Sequence, residues 1–289
     1  MAEWTKAAAS KAVILGNRNR GFESHSLHQK FIMSDKKTIK FYDDQAQMWA
    51  DILRTGQHFS HKYIIEPAMR SKIPNLKDKK VLCVGCGTGE ECDYIKNLGA
   101  REVIGTDISK GEIEIAKKSY PDLNFYVMDS EKIDFEQNSF DFIYSNLVFH
   151  YLSDWSVSLQ KIHNILKKDG TFLFSTHHPI TWGAQREKKG VKKTSFMGYI
   201  KYDTGYGESV GDYLNARKID DIWFDKFKVS YYHKPLSLMF KYILNSGFEI
   251  IDLLEPKPVF FPNDIPPYFL KVYEKIPLFI IFELKQKTI

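Results

Sequence analysis

The chain carries 3 cysteines in 289 residues, and its apolar runs are no longer than a strand. Nothing approaches the roughly 18 consecutive apolar residues that span a bilayer. The longest candidate, residues 276–282, is interrupted by Pro277, and Ala12–Leu15 is too short an apolar core for a secretory signal. These absences lead us to expect a soluble, cytoplasmic protein with no membrane partner. A block of one charge is missing as well. The net charge is +5, but residues 1–32 hold five basic side chains against two acids, which leaves the body near +2 with both signs interspersed. That distribution lacks the clustered basic footprint of a nucleic-acid binder. Cys83 and Cys86 form a C-x-x-C with Cys92 nearby, a spacing open to redox or metal chemistry. No second Cys/His pair at ligand spacing accompanies it, so no metal is expected. The cysteines read as small buried residues in a reducing compartment.

What is present is ordinary globular composition, 43% hydrophobic and 27% charged, with room for one large domain or one domain with a sizeable insertion. Residues 1–32 show no helical or strand period and little they could bury. The portion GNRNRGFESHSL resembles the conceptual translation of a transfer-RNA gene, which would make Met33 the natural start. A flexible basic tail or a targeting peptide is the alternative, though Glu3 and Glu23 sit poorly with an acid-poor transit peptide. From residue 78 strand and helix signals alternate: strands at residues 80–84, 102–106, 123–128, 140–145 and 171–176, helices at 89–98, 110–120 and 154–166. Such spacing argues for βαβ units and a parallel sheet with right-handed crossovers. The pattern breaks over residues 179–234, an aromatic-rich stretch that includes an antiparallel pair at 219–224 and 228–232. An insertion there, beyond the carboxyl end of a parallel strand, is placed to cover a ligand crevice. A helix at residues 235–246 and strands at 248–254 and 278–285 follow.

The first strand runs into VLCVGCGTGE, residues 81–90, with glycines at 85, 87 and 89. A dinucleotide fingerprint would need a third glycine where Glu90 stands, and a P-loop would need a lysine that is absent. Bare glycines let the backbone approach a ligand, and the helix start behind them favours anionic groups. Asp107 ends the second strand, where a carboxylate can accept both hydroxyls of a ribose. Asp129 ends the third, where it can take an adenine amino group. Three such positions on successive strand ends describe a line along which a nucleoside fits.

These stretches, together with VIGTDIS, FYVMDSEKI, FDFIYSNLVFHYLSDW and ILKKDGTFLFSTHHP, resemble the class I S-adenosylmethionine-dependent methyltransferases, in particular the small-molecule, type 11-like branch. The resemblance implies an α/β, Rossmann-like seven-stranded sheet, mostly parallel with the last strand antiparallel, and a lid insertion after strand 5. It implies a methyltransferase domain over residues 33–289 and S-adenosyl-L-methionine as cofactor. Gly85, Cys86, Gly87 and Gly89 would lie against the methionine part, Asp107 would hold the ribose, and Ile108 would sit beside the adenine. Asp129 and Ser130 would read the adenine edge, Asn146 and Leu147 would line the methionine end, and Tyr42 would close over the cofactor. Cys83 stands where many relatives carry an acid that organises the glycine loop. The expected acceptor is a small molecule; the alternatives are a non-catalytic cofactor-binding regulator and an enzyme acting on RNA or protein. For a proton acceptor the candidates are His150 and His178. Strand alternation sends His177 and His178 to opposite faces, and the approach to Pro179 favours His178 as the one facing the crevice. His233 reads as a packed or solvent-facing residue.

Overall fold

The computed structural model describes residues 35–184, 197–201, 205, 207–223, 227–259 and 271–288. The extension over residues 1–32, and Phe196, Tyr202, Tyr206 and Phe224 of the insertion, lie outside the described residues. Ahead of the sheet, α1 (Lys36–Arg54) kinks at Gln45, and His61–Ile65 winds as a π-helical turn straight into α2 (Glu66–Ser71). Neither helix was anticipated from the sequence.

The run Lys80–Val84 forms β1 because every other residue can be buried on a different layer. Val81 and Cys83 enter one core with Ile95 and Phe125, whereas Leu82 and Val84 enter the other with Trp155 and Leu159. Gly89, at φ 94°, turns the chain into α3 (Glu90–Asn97), whose first turn places Glu90, Glu91 and Asp93 at the positive end of the helix dipole. After β2 (Glu102–Asp107), the Ser109 side chain accepts from Glu112 N and starts α4 (Lys110–Ser119). Next come β3 (Asn124–Val127) and β4 (Phe140–Ser145). Then α5 (Ser156–Ile165) begins later than the sequence pattern suggests, since Asp154 Oδ1 accepts from Ser156 N at 2.7 Å and holds a turn there. β5 (Leu166–His177) starts earlier than expected: residues 168–170 are absorbed as a bulge between the pairs Phe140–Leu166 and Phe142–Thr171.

The insertion holds the short helix α6 (Pro179–Trp182), an unanticipated antiparallel pair β6 (Gly198–Lys201) and β7 (Gly207–Val210), and the expected pair β8 (Arg217–Trp223) and β9 (Phe227–His233). The chain closes with α7 (Leu236–Asn245), β10 (Phe248–Leu254) and β11 (Phe279–Gln286). The sheet order is β10-β11-β5-β4-β1-β2-β3. β11 runs antiparallel to both β10 and β5, and the remaining strand pairs are parallel. This is the Rossmann-like arrangement the sequence implied. The order reverses between β1 and β4, which opens a crevice at the carboxyl ends of those strands. Among the described residues, no helix is long and apolar enough to cross a membrane.

Candidate functional site

A cavity of about 1080 Å³ occupies that crevice. Its floor is the glycine turn. Gly85 N and Cys86 N both donate to Thr106 O, at 2.7 and 2.9 Å, and Gly87 N donates to Asp107 Oδ2 at 3.0 Å. The turn is therefore organised by the end of β2, and the missing acid at Cys83 leaves it ordered. Gly85 has φ 68°, and a Cβ there would stand 2.1 Å from Val148 Cγ2. Gly89 corrects the sequence reading. It does not line the cavity; a Cβ on it would meet Tyr120, Phe125 and Ala116, so its bareness lets α3 pack against α4 and β3. The three cysteines are free and buried, and burial pushes the Cys86 thiol up to about 11. Among the described residues, no group of three His, Cys, Asp or Glu could hold a metal ion.

Along the wall beyond β2 and β3 stand Asp107, Ile108, Met128, Asp129 and Ser130. Asp107 Oδ1 also accepts from Ser109 N at 2.8 Å, so each of its oxygens faces one backbone donor. Burial raises its pKa and those backbone bonds lower it, with the first effect larger. Asp129 Oδ1 accepts from Glu131 N at 3.0 Å, whereas its Oδ2 is buried without a hydrogen-bond partner. Ser130 Oγ lies 2.8 Å from Ser158 Oγ. Tyr42 reaches across from α1, its Oη 2.6 Å from Tyr151 Oη, and so bridges the pre-sheet helix to the loop after β4. Asp43 anchors the same helix by accepting from Ser109 Oγ at 2.8 Å and Gly111 N at 3.2 Å.

At the other end, Asn146, Leu147 and His150 come from the loop after β4. Leu147 adopts φ 57°, a strained conformation for a branched apolar residue, and Leu147 N donates to Ser175 Oγ at 3.0 Å. Asn146 accepts from that same hydroxyl and donates to Glu91. Burial raises the Glu91 pKa against the donors Asn146 and Tyr144. His150 is 2% exposed with neither ring nitrogen hydrogen-bonded. Burial first, then the Lys234 charge, holds it well below the ordinary histidine range. It stacks on His177 at 3.5 Å, and His177 stacks on Trp182 at 3.7 Å.

The expectation for His178 is overturned. The two histidines do take opposite faces, but His177 lines the cavity and His178 does not. Buried beneath α6, His178 accepts at Nδ1 from Ile180 N at 3.3 Å, and its Nε2 lies 2.8 Å from Glu255 Oε1. It caps the turn that Pro179 begins. His233 is buried, with Nε2 2.9 Å from Tyr213 O. Sequence reasoning missed His58, His61, Trp49, Glu91 and Glu112, which also line the cavity. The first three lie on the pre-sheet segment, of which the family resemblance singled out only Tyr42. Only Glu112 had a signal, the S-x-x-E spacing from Ser109.

The sequence profile described as "Methyltransferase domain" matches residues 82–174. A crystal structure of an S-adenosylmethionine dependent methyltransferase from Mesorhizobium loti is 27% identical, with TM-score 0.61 over 76% of this chain and 96% of that one. The chain belongs to the S-adenosylmethionine-dependent methyltransferases. A Haemophilus influenzae protein of uncharacterised role is 31% identical over 78% of this methyltransferase and 88% of its own length. The malonyl-[acyl-carrier protein] O-methyltransferase of Halalkalibacterium halodurans is 29% identical over 51% of this chain, a match spanning 58% of that relative. The donor set of the cavity fits the family's cofactor. Bare backbone and the carboxylates of Asp107 and Asp129, the latter with Oδ2 free of hydrogen bonds and 3.9 Å from Lys132 Nζ, offer a nucleoside the partners its hydroxyls and amino group require.

Proposed function

We propose that this methyltransferase acts on a small molecule with a flat apolar body, in the cytoplasm and without a nucleic-acid partner. Supporting this reading, the part of the cavity away from Asp107 and Asp129 is walled by Trp49, Trp182, Trp223 and His177. Trp49 and Trp223 stack on one another, ring centroids 6.5 Å apart and planes inclined by 29°, and so join α1 to the insertion in one aromatic wall against which a flat guest can lie. Trp49 comes from α1 and Trp182, Ile222 and Trp223 from the insertion, so in this reading the described part of residues 179–234 covers the acceptor site, within a catalytic domain spanning residues 33–289.

In this reading Gly85, Cys86 and Gly87 carry the methionine part of the cofactor on their backbone, Asp107 takes the ribose, and Ile108 flanks the adenine. Asp129 and Ser130 read the adenine edge. Asn146 and Leu147 border the methionine end, and Tyr42 with Tyr151 closes the site. When bound, S-adenosylmethionine supplies an electrophilic methyl group. The protein's own contribution is alignment and exclusion of water, worth about 7–11 kcal/mol in well-aligned cases. His150 takes the acceptor's proton on one of its unpaired ring nitrogens. Incubating the protein with extract and radiolabelled cofactor tests the proposal. Label should enter a dialysable product that resists protease and nuclease; label confined to protein or RNA would refute a small-molecule acceptor.

A further inference from the structure

Glu112 is 2% exposed, and neither of its carboxyl oxygens has a hydrogen-bond partner, yet it lines the cavity. The sequence around it explains how it came to be loose. Ser109 and Glu112 have the spacing of a capping box, in which the Glu side chain returns to the Ser backbone N–H. Only half of the box forms. Ser109 Oγ accepts from Glu112 N at 3.1 Å, but Ser109 N is already given to Asp107 Oδ1 at 2.8 Å. Displaced by Asp107, the Glu112 carboxyl is directed toward the glycine turn, where a Cβ on Gly87 would stand 3.3 Å from its Oε2.

We propose that Glu112 is a second acidic ligand of the cofactor's ribose, acting beside Asp107. The proposal rests on the cofactor assignment and goes beyond it, since the family likeness gave this position no role. Its chemistry follows from counting donors. A ribose diol has two O–H donors, and Asp107, acceptor-only when ionised, can take both. The lone pairs of the two hydroxyls can then accept from a donor, which a protonated acid lining the same wall supplies. Burial, with Asp107, Glu90 and Asp43 adding negative charge and Arg54 opposing them, lifts the Glu112 carboxyl to about 9. Tyr42, Tyr151 and Cys86 also face it, each with its pKa raised by burial, so none adds an anion near neutral pH.

The test is calorimetric titration of the full chain with S-adenosylhomocysteine and with its 2′-deoxy and 3′-deoxy analogues, using wild type, Glu112→Gln and Glu112→Met. Glutamine keeps a donor and should bind S-adenosylhomocysteine within about threefold of wild type. Methionine should weaken binding about tenfold, which is 1.4 kcal/mol, and that deficit should vanish with one of the deoxy analogues. From pH 8 to 10 wild type should lose affinity relative to Glu112→Gln, which shares the ligand's own titration. If wild type binds and Glu112→Met binds equally well, the role of Glu112 is refuted while the cofactor assignment stands. If wild type binds no S-adenosylhomocysteine at all, both fail. Should Glu112→Met not fold, the pH series decides: a wild type that holds its affinity alongside Glu112→Gln from pH 8 to 10 refutes the role of Glu112.

Discussion

Replacing Glu112 by Gln should stabilise the ligand-free protein, and by more as the pH rises. An acid whose folded pKa lies above its unfolded value contributes its full share below the unfolded pKa and loses it as pH rises toward the folded one. For Glu112 that window runs from 4.5 to about 9. At pH 7 the unfolded chain releases a proton that the folded chain retains. Each unit between 4.5 and the working pH costs about 1.4 kcal/mol, so the penalty at pH 7 is on the order of 3 kcal/mol. Glutamine has the same shape and no titration, so its advantage over wild type should be near zero at pH 4.5 and grow to that size by pH 7. In a domain this large the gain corresponds to roughly 6–12 °C in melting temperature. Paired thermal or urea melts of the two proteins between pH 5 and 8.5 measure it. A difference that stays flat across that range would show that Glu112 ionises in the folded state as it does in water, and the donor argument would fall with it.

Three further outcomes follow from other parts of the site. His150→Ala should lower turnover by about 10²–10⁴-fold while S-adenosylhomocysteine affinity, titrated separately, stays within a few-fold; unchanged turnover would remove His150 from the chemistry. Because burial holds His150 neutral well below its ordinary pKa, the pH–rate profile of wild type should show no acid limb near pH 6.5 from this residue. Gly111→Ala would place a Cβ 2.4 Å from Asp43 O and 3.0 Å from Asp43 Cα, both backbone atoms that cannot swing aside. It should cost about 1–3 kcal/mol in chemical melts and weaken the cofactor by displacing Tyr42. An unaltered midpoint and affinity would mean that α1 does not depend on this crossing.

The outline of this molecule was legible in the chain because its signals are local. Residues 80–84 alternate between two buried layers, and Gly85 and Gly87 hold positive φ where a side chain would be strained. Asp107 closes β2, and Asp129 follows β3 by two residues, at positions that can be counted from hydrophobic period. Strand alternation even separated His177 from His178 correctly. What it could not decide was which of the two faced the ligand, since that depends on which layer of the sheet each side of β5 meets. Tertiary structure settled it by spending His178 on the cap of α6. Gly89 went to helix packing for a similar reason: its neighbours Phe125 and Tyr120 arrive from later in the chain. The aromatic walls are the clearest case. Trp49 and Trp223 meet across more than 170 residues, and Tyr42 meets Tyr151 across 109. Periodicity and turn chemistry reach only as far as one helix or strand, so the glycine turn and the acids beyond β2 and β3 were written in the sequence while the aromatic wall of the cavity exists only once the distant segments have packed.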